Sequence, residues 1–155
     1  MPQLAPADDG VARAKVFVRD ACAGGTTIVS LTQAGDQAGA RNDGTQRMPA
    51  ISDDGCIVTF LAARSGWSVD GLQHVFLRDR CANRTEQVDV TTAGVSGNGH
   101  DNSPMISATG RYVAFHSGAT NLDPTDTASQ SDAYVRDRAT ALPPVAGLAA
   151  AISGH

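Results

Sequence analysis

Apolar residues fall in short runs along this chain, with Gly, Asp, Thr and Ser between them. "CIVTFLA" at 56–62 and "RYVAFHS" at 111–117 are such runs, rich in aromatic and β-branched side chains, and they read as strands. "IVTF" and "YVAF" within them are almost continuous rather than alternating. Continuity of that kind is expected where both faces of a sheet are covered.

The runs repeat. "VFVRD" at 16–20 returns as "VFLRD" at 75–79, an offset of 59, and as "AYVRD" at 133–137, an offset of 58. "PAISDDGCIVTF" at 49–60 returns as "PMISATGRYVAF" at 104–115, an offset of 55, and "LTQAG" at 31–35 matches "VTTAG" at 90–94. Four classes of strand therefore recur in fixed order. A is "RMPAIS" and "NSPMIS", B the two runs quoted first, C the three "VFVRD"-like copies, and D "TTIVSLT" and "EQVDVTT". Between A and B, Gly55 and Gly110 supply the positive φ that a tight turn requires. The chain order C-D, A-B-C-D, A-B-C gives nine strands.

Four-stranded antiparallel units recurring at this spacing are the mark of propeller blades. The expected fold is all-β, a partial or open β-propeller of about two to two and a half blades. It spans 1–140, as a C-D hairpin at 15–33, a blade at 46–93 and an incomplete blade at 102–138, with a tail at 141–155. Pro143 and Pro144 argue against a regular D strand in the tail. Propellers close with about four to eight blades, so apolar blade faces are left to be covered. Three solutions are open: a longer propeller of which this is a part, self-association through the exposed faces, or a tail folded back. The first is the preferred expectation.

Composition agrees with strands and turns. Glu86 is the sole glutamate and Lys15 the sole lysine, while Val, Thr, Ser, Gly and Asp are abundant. A net charge of -4 argues against a nucleic-acid surface. No apolar stretch reaches the roughly 20 residues of a membrane helix, and "MPQLAPADDG" has no signal-peptide pattern.

The segments "PMISATGRYVAFHSGATNL", "AYVRDRAT", "TEQVDVTTAG" and "GNGHDNSPMIS" together resemble a blade of the TolB-like, WD-like β-propeller repeats of bacteria. The resemblance covers about residues 3–140, and "QLAPADDG" at 3–10 aligns with "NLDPTDTA" at 121–128, placing the start of the sequence in a B-to-C loop. It implies a non-catalytic scaffold presenting its loops to a protein or polysaccharide partner, in a periplasmic or extracellular setting. The alternatives it leaves are the propeller portion of a larger secreted hydrolase, or a calcium-stabilised repeat module.

Candidate chemistry is sparse. Asp123, Asp126 and Asp132 gather in "NLDPTDTASQSDAYVRD", and calcium is the cofactor such a loop would take. Ala128 stands where a further ligand belongs, and where the family pattern has Asn. The plainer reading is a B-to-C loop of Asx-turns. The Arg-Asp pairs at 19–20, 78–79 and 136–137 recur in every blade and so serve the blade, with Asp accepting turn amides. Antiparallel pairing of B with C sets Cys56 roughly opposite Cys81, the geometry of a cross-strand disulfide; two small buried thiols are the alternative. Trp67, in a B-to-C loop, is either a partner anchor or a cover for a core edge. His74 occupies the position of Asp132 in the next repeat, which places it at a loop edge. No H-E-x-x-H, zinc spacing or G-x-S-x-G occurs.

Overall fold

The computed structural model describes residues 15–32, 35, 48–63, 70–126, 128 and 130–139. Trp67, the tail at 141–155 and the proposed N-terminal loop lie outside the described residues. Among the described residues all regular structure is β, in three antiparallel sheets. The first is the hairpin β1 (Phe17–Arg19) and β2 (Thr26–Ile28). The second holds β3 (Ala50–Ile51), β4 (Ile57–Ala63), β5 (Gln73–Asp79) and β6 (Arg84–Gln87) in chain order. The third holds β7 (Asp101–Ile106), β8 (Tyr112–Ser117) and β9 (Asp132–Asp137). These are the nine strands in the C-D, A-B-C-D, A-B-C order of the repeats.

The same local devices build each unit. Ser52 N–H donates to the Ile57 carbonyl while the Ser52 hydroxyl accepts from Ile57 N, and Ser107 does the same with Tyr112. Gly55 and Gly110 close these turns, each at φ 71°. At the end of each C strand an aspartate accepts turn amides: Asp20 from Cys22 and Ala23, Asp79 from Ala82, Asp137 from Ala139. Arg19 and Arg78 reach Thr26 and Thr85 on the neighbouring D strands, both at 3.0 Å.

The D strands and β3 are shorter than the sequence implies, and β7 is interrupted, for two physical reasons. Past Ile28 and Gln87 the ladder continues through side chains: the Ser30 hydroxyl accepts from Val16 N, and Asp89 Oδ1 accepts from Val75 N at the equivalent place. In the A strands, Pro49 and Pro104 follow residues with positive φ, Met48 at 36° and Ser103 at 52°. A bulge between Asn102 and Met105 results in β7, the kind of position at which a sheet tolerates proline.

Two clusters form the core. Val16 and Val29 of the hairpin pack on Val58, Phe60, Ala62 and Phe76 of the middle sheet. The opposite face of that sheet, with Ile57, Leu61, Val75, Leu77 and Val88, packs on Val113 and Phe115. The junctions are equivalent: Phe60 stacks with Phe76 at 6.3 Å in one, Phe115 with Tyr134 at 5.8 Å in the other. Burying each such side chain contributes about 1.5–3 kcal/mol. β4 is accordingly buried at every position, whereas β8 alternates between exposed and buried. "YVAF" therefore has only one covered face among the described residues, although its sequence is as continuous as that of "IVTF".

Candidate functional site

The acids singled out by sequence do not come together. Asp123 Oδ1 accepts from the Thr125 amide at 2.8 Å and its hydroxyl at 2.7 Å, which holds that carboxyl below its ordinary range. Asp126 accepts from Ala128 N and from the Tyr134 hydroxyl at 3.1 Å. Burial, and then the bond to Asp126, push the Tyr134 phenol up to about 12. Asp132 begins β9 and is exposed. The loop closes on itself through Asx-turns that engage the carboxylates of Asp123 and Asp126.

Cys56 and Cys81 are joined in a disulfide with their Cα atoms 5.4 Å apart. The register brings them close: Ile57 pairs with Asp79 and Arg80 N donates to the Cys56 carbonyl, which leaves Cys81 one residue past the position opposite Cys56. Cys22, the repeat equivalent of Cys81, is an exposed free thiol.

A different group converges in the interior. His74, Asp89 and Asp101 are all fully buried, and one donor atom of each lies within 4.8 Å of the other two. Among the described residues no other set of three metal-ligand side chains does this. His74 comes from β5, Asp89 follows β6, and Asp101 opens β7, so the group ties the middle sheet to the third. His74 Nδ1 meets Asp89 Oδ2 at 2.5 Å, and its Nε2 meets both oxygens of the exposed Asp70 at 3.2 Å. Burial disfavours the charged ring, but Asp89 and then Asp70 outweigh it and raise the His74 pKa. Asp89 is further fixed by Val75 N on Oδ1 and Gln87 Nε2 on Oδ2.

Asp101 is the strained member. Neither of its oxygens meets a donor at hydrogen-bond geometry, though the Ser117 hydroxyl and the Val75 amide lie close enough to give partial relief. Burial first, and the adjacent Asp89 second, push its pKa up to about 9. The connection from β6 to β7 passes over these groups on glycines. A Cβ at Gly97 would stand 3.0 Å from Asp89 Oδ2, and one at Gly99 would stand 2.3 Å from the Gly118 backbone. His100 in this connection accepts from Gln73 N at 3.1 Å through its Nδ1.

The loop-edge position expected for His74 is thus wrong, because β5 starts before it at Gln73 and carries the ring inward. The signal was present in the sequence. Asp89 lies between two valines, where the equivalent residue of the first copy is Ser30, and His74 stands where the other copies have Lys15 and Asp132. Ionisable residues that break the repeat inside an apolar run mark a place where this blade does something its neighbours do not.

No model of a known protein family matches the chain, and no curated protein matches it. Solved structures do. TolB from Acinetobacter baumannii is 17% identical over 84% of this chain and 25% of its own, with a TM-score of 0.49. The tricorn protease is 18% identical over 81% of this chain and 12% of its own, with a TM-score of 0.51. The chain spans only those fractions of the two proteins. The likeness to the tricorn protease is one of fold, and with the sheets described above it makes this an all-β protein built of antiparallel sheets that resemble parts of β-propellers.

Proposed function

We propose that the chain is a non-catalytic, TolB-like β-propeller segment that serves as a binding scaffold, with the outer face of β7–β9 as its docking surface. The observation that carries this is repeat equivalence. Ile57, Thr59, Leu61, Val75 and Leu77 are buried at the junction with the third sheet. Their equivalents on the third sheet are Tyr112, Ala114, His116, Ala133 and Val135, on the face turned away from that junction. Val135 is 71% exposed, and Met105 beside it on the same face 63%. The fold thus presents, open to solvent, the surface on which it elsewhere seats a blade.

The occupant is another blade of the same repeat. For the chain by itself this is the β1–β2 hairpin of a second copy, whose Phe17 stands at the position of Phe76 and Tyr134. Both of those rings sit in the blade junctions. Such a contact is head-to-tail, so it either closes into a ring or continues as a chain. The Cys56–Cys81 disulfide supports a periplasmic or extracellular setting, since disulfides persist in oxidising compartments.

Light scattering across a concentration series tests the reading. The expected result is a mass that rises with concentration, and a single-chain mass for Val135→Asp and for Phe17→Asp separately. Mixing the two variants should restore a dimer and nothing larger, because one intact junction remains between them. A wild-type chain that stays monomeric throughout would overturn the proposal.

A further inference from the structure

We propose that His74, Asp89 and Asp101 are the ligands of a first-row divalent transition-metal ion, of which Zn2+ is the type, held between the middle and third sheets. Two carboxylates and an imidazole form a donor set suited to such an ion. Calcium fits poorly, since it takes six to eight oxygens and this site offers a nitrogen and few donors.

Four further observations support the assignment. Asp101 is fully buried with no donor at hydrogen-bond geometry on either oxygen, only the nearby Ser117 hydroxyl and Val75 amide, and its Oδ2 is 3.9 Å from His74 Nδ1. A cation between them supplies what the surrounding protein does not. Asp70 holds Nε2 of His74, which leaves Nδ1 as the ligand atom; a carboxylate on the far nitrogen is the usual support of a metal-bound histidine. Asp89 Oδ1 is anchored on Val75 N, so Oδ2, which faces His74 Nδ1 and also accepts from Gln87 Nε2, is the ligand oxygen. The group is also peculiar to this blade, with Lys15 and Ser30 at the equivalent places of the first copy. Binding requires His74 Nδ1 and Asp89 Oδ2 to part from 2.5 Å to about 3.3 Å, the spacing of tetrahedral ligands on bonds of 2.0–2.1 Å.

The test uses the full chain, untagged and carrying Cys22→Ser so that the exposed thiol binds nothing. It is stripped with chelator, loaded with Zn2+ and dialysed. The expected result is one zinc per chain, a raised thermal midpoint and loss of the zinc in Asp101→Asn, which keeps the size of the side chain and removes the carboxylate. Asp70→Asn should weaken zinc binding by about tenfold, and Asp123→Asn should leave it unchanged. Nitrogen NMR of the Cys22→Ser chain gives an answer even if Asp101→Asn does not fold: zinc should shift the His74 ring and leave His100 and His116 in place. Zinc that is absent after dialysis, that stays in folded Asp101→Asn, or that leaves the His74 ring unmoved overturns the site.

Discussion

The inward face of the middle sheet and the outward face of the third are copies of one another with opposite fates. Where the first has Ile57, Leu61, Val75 and Leu77, the second has Tyr112, His116, Ala133 and Val135. The buried copy carries branched aliphatic residues, which fill a junction and stay dry. The exposed copy has traded most of them for smaller or amphipathic side chains, while Met105 and Val135 keep it apolar at its centre. A face of this second kind is tolerable in water, and under the proposed docking role it is the one that would take the aromatic side of a blade in a reversible junction.

The largest expected difference between the faces is at their matched positions. Leu77→Ala, at a fully buried site, should lower stability by about 2–5 kcal/mol in a urea melt. Val135→Ala on the open face should change the stability of dilute protein by less than about 0.5 kcal/mol. Equal effects would mean that both faces are covered within one chain.

The two A-to-B turns give a second contrast. Gly55 and Gly110 share a φ of 71°, so alanine at either incurs about 1–2 kcal/mol of backbone strain. A Cβ at Gly110 would also stand 2.8 Å from Ile57 Cγ1 across the junction, whereas one at Gly55 would meet only Arg80 at 3.7 Å. Gly110→Ala should therefore lose about 1–3 kcal/mol more than Gly55→Ala, measured as the gap between their denaturation midpoints.

Smaller effects belong to the acid loop beside the third sheet. Asp126→Asn weakens and Tyr134→Phe removes the hydrogen bond between these side chains, worth about 1 kcal/mol or less. Calcium should leave the wild-type thermal midpoint where chelator leaves it. A rise abolished by Asp123→Asn would show that the loop binds the ion after all.

The smallest effect concerns the position equivalent to the disulfide. Arg111 stands where the middle sheet has Cys56, and it pairs with Asp137 at 2.8 and 2.9 Å. That pairing first, and the Ala139 amide second, hold the Asp137 carboxyl down at about 2. A depressed carboxyl stabilises the fold above the ordinary aspartate range, and the contribution disappears as pH falls through about 2. The midpoint difference between wild type and Arg111→Gln should be slight at pH 6 and vanish at the acid end.

Most of the architecture is legible in the sequence because each blade repeats its strand pairs, its turn glycines and its strand-ending aspartates. What escapes is of two kinds. The true ends of the D and A strands depend on side chains that take over a backbone bond, Ser30 and Asp89, and on prolines that force a bulge. Neither changes the apolar pattern. The buried His74, Asp89 and Asp101 group escapes because its members come from three separate segments and meet only once two sheets have packed. A dense local run of acids is the more visible pattern, yet on a surface loop such acids find amides and hydroxyls nearby. Burial, rather than the number of carboxylates, is what leaves a charge with unmet needs.

The docking role of the outer face is tested most directly by amide hydrogen exchange of 132–137 at low and high protein concentration. The account predicts that these amides become markedly better protected as concentration rises, while those of β4 and β5 stay unchanged, and that Val135→Asp removes the gain. Equal protection of 132–137 at every concentration would contradict it.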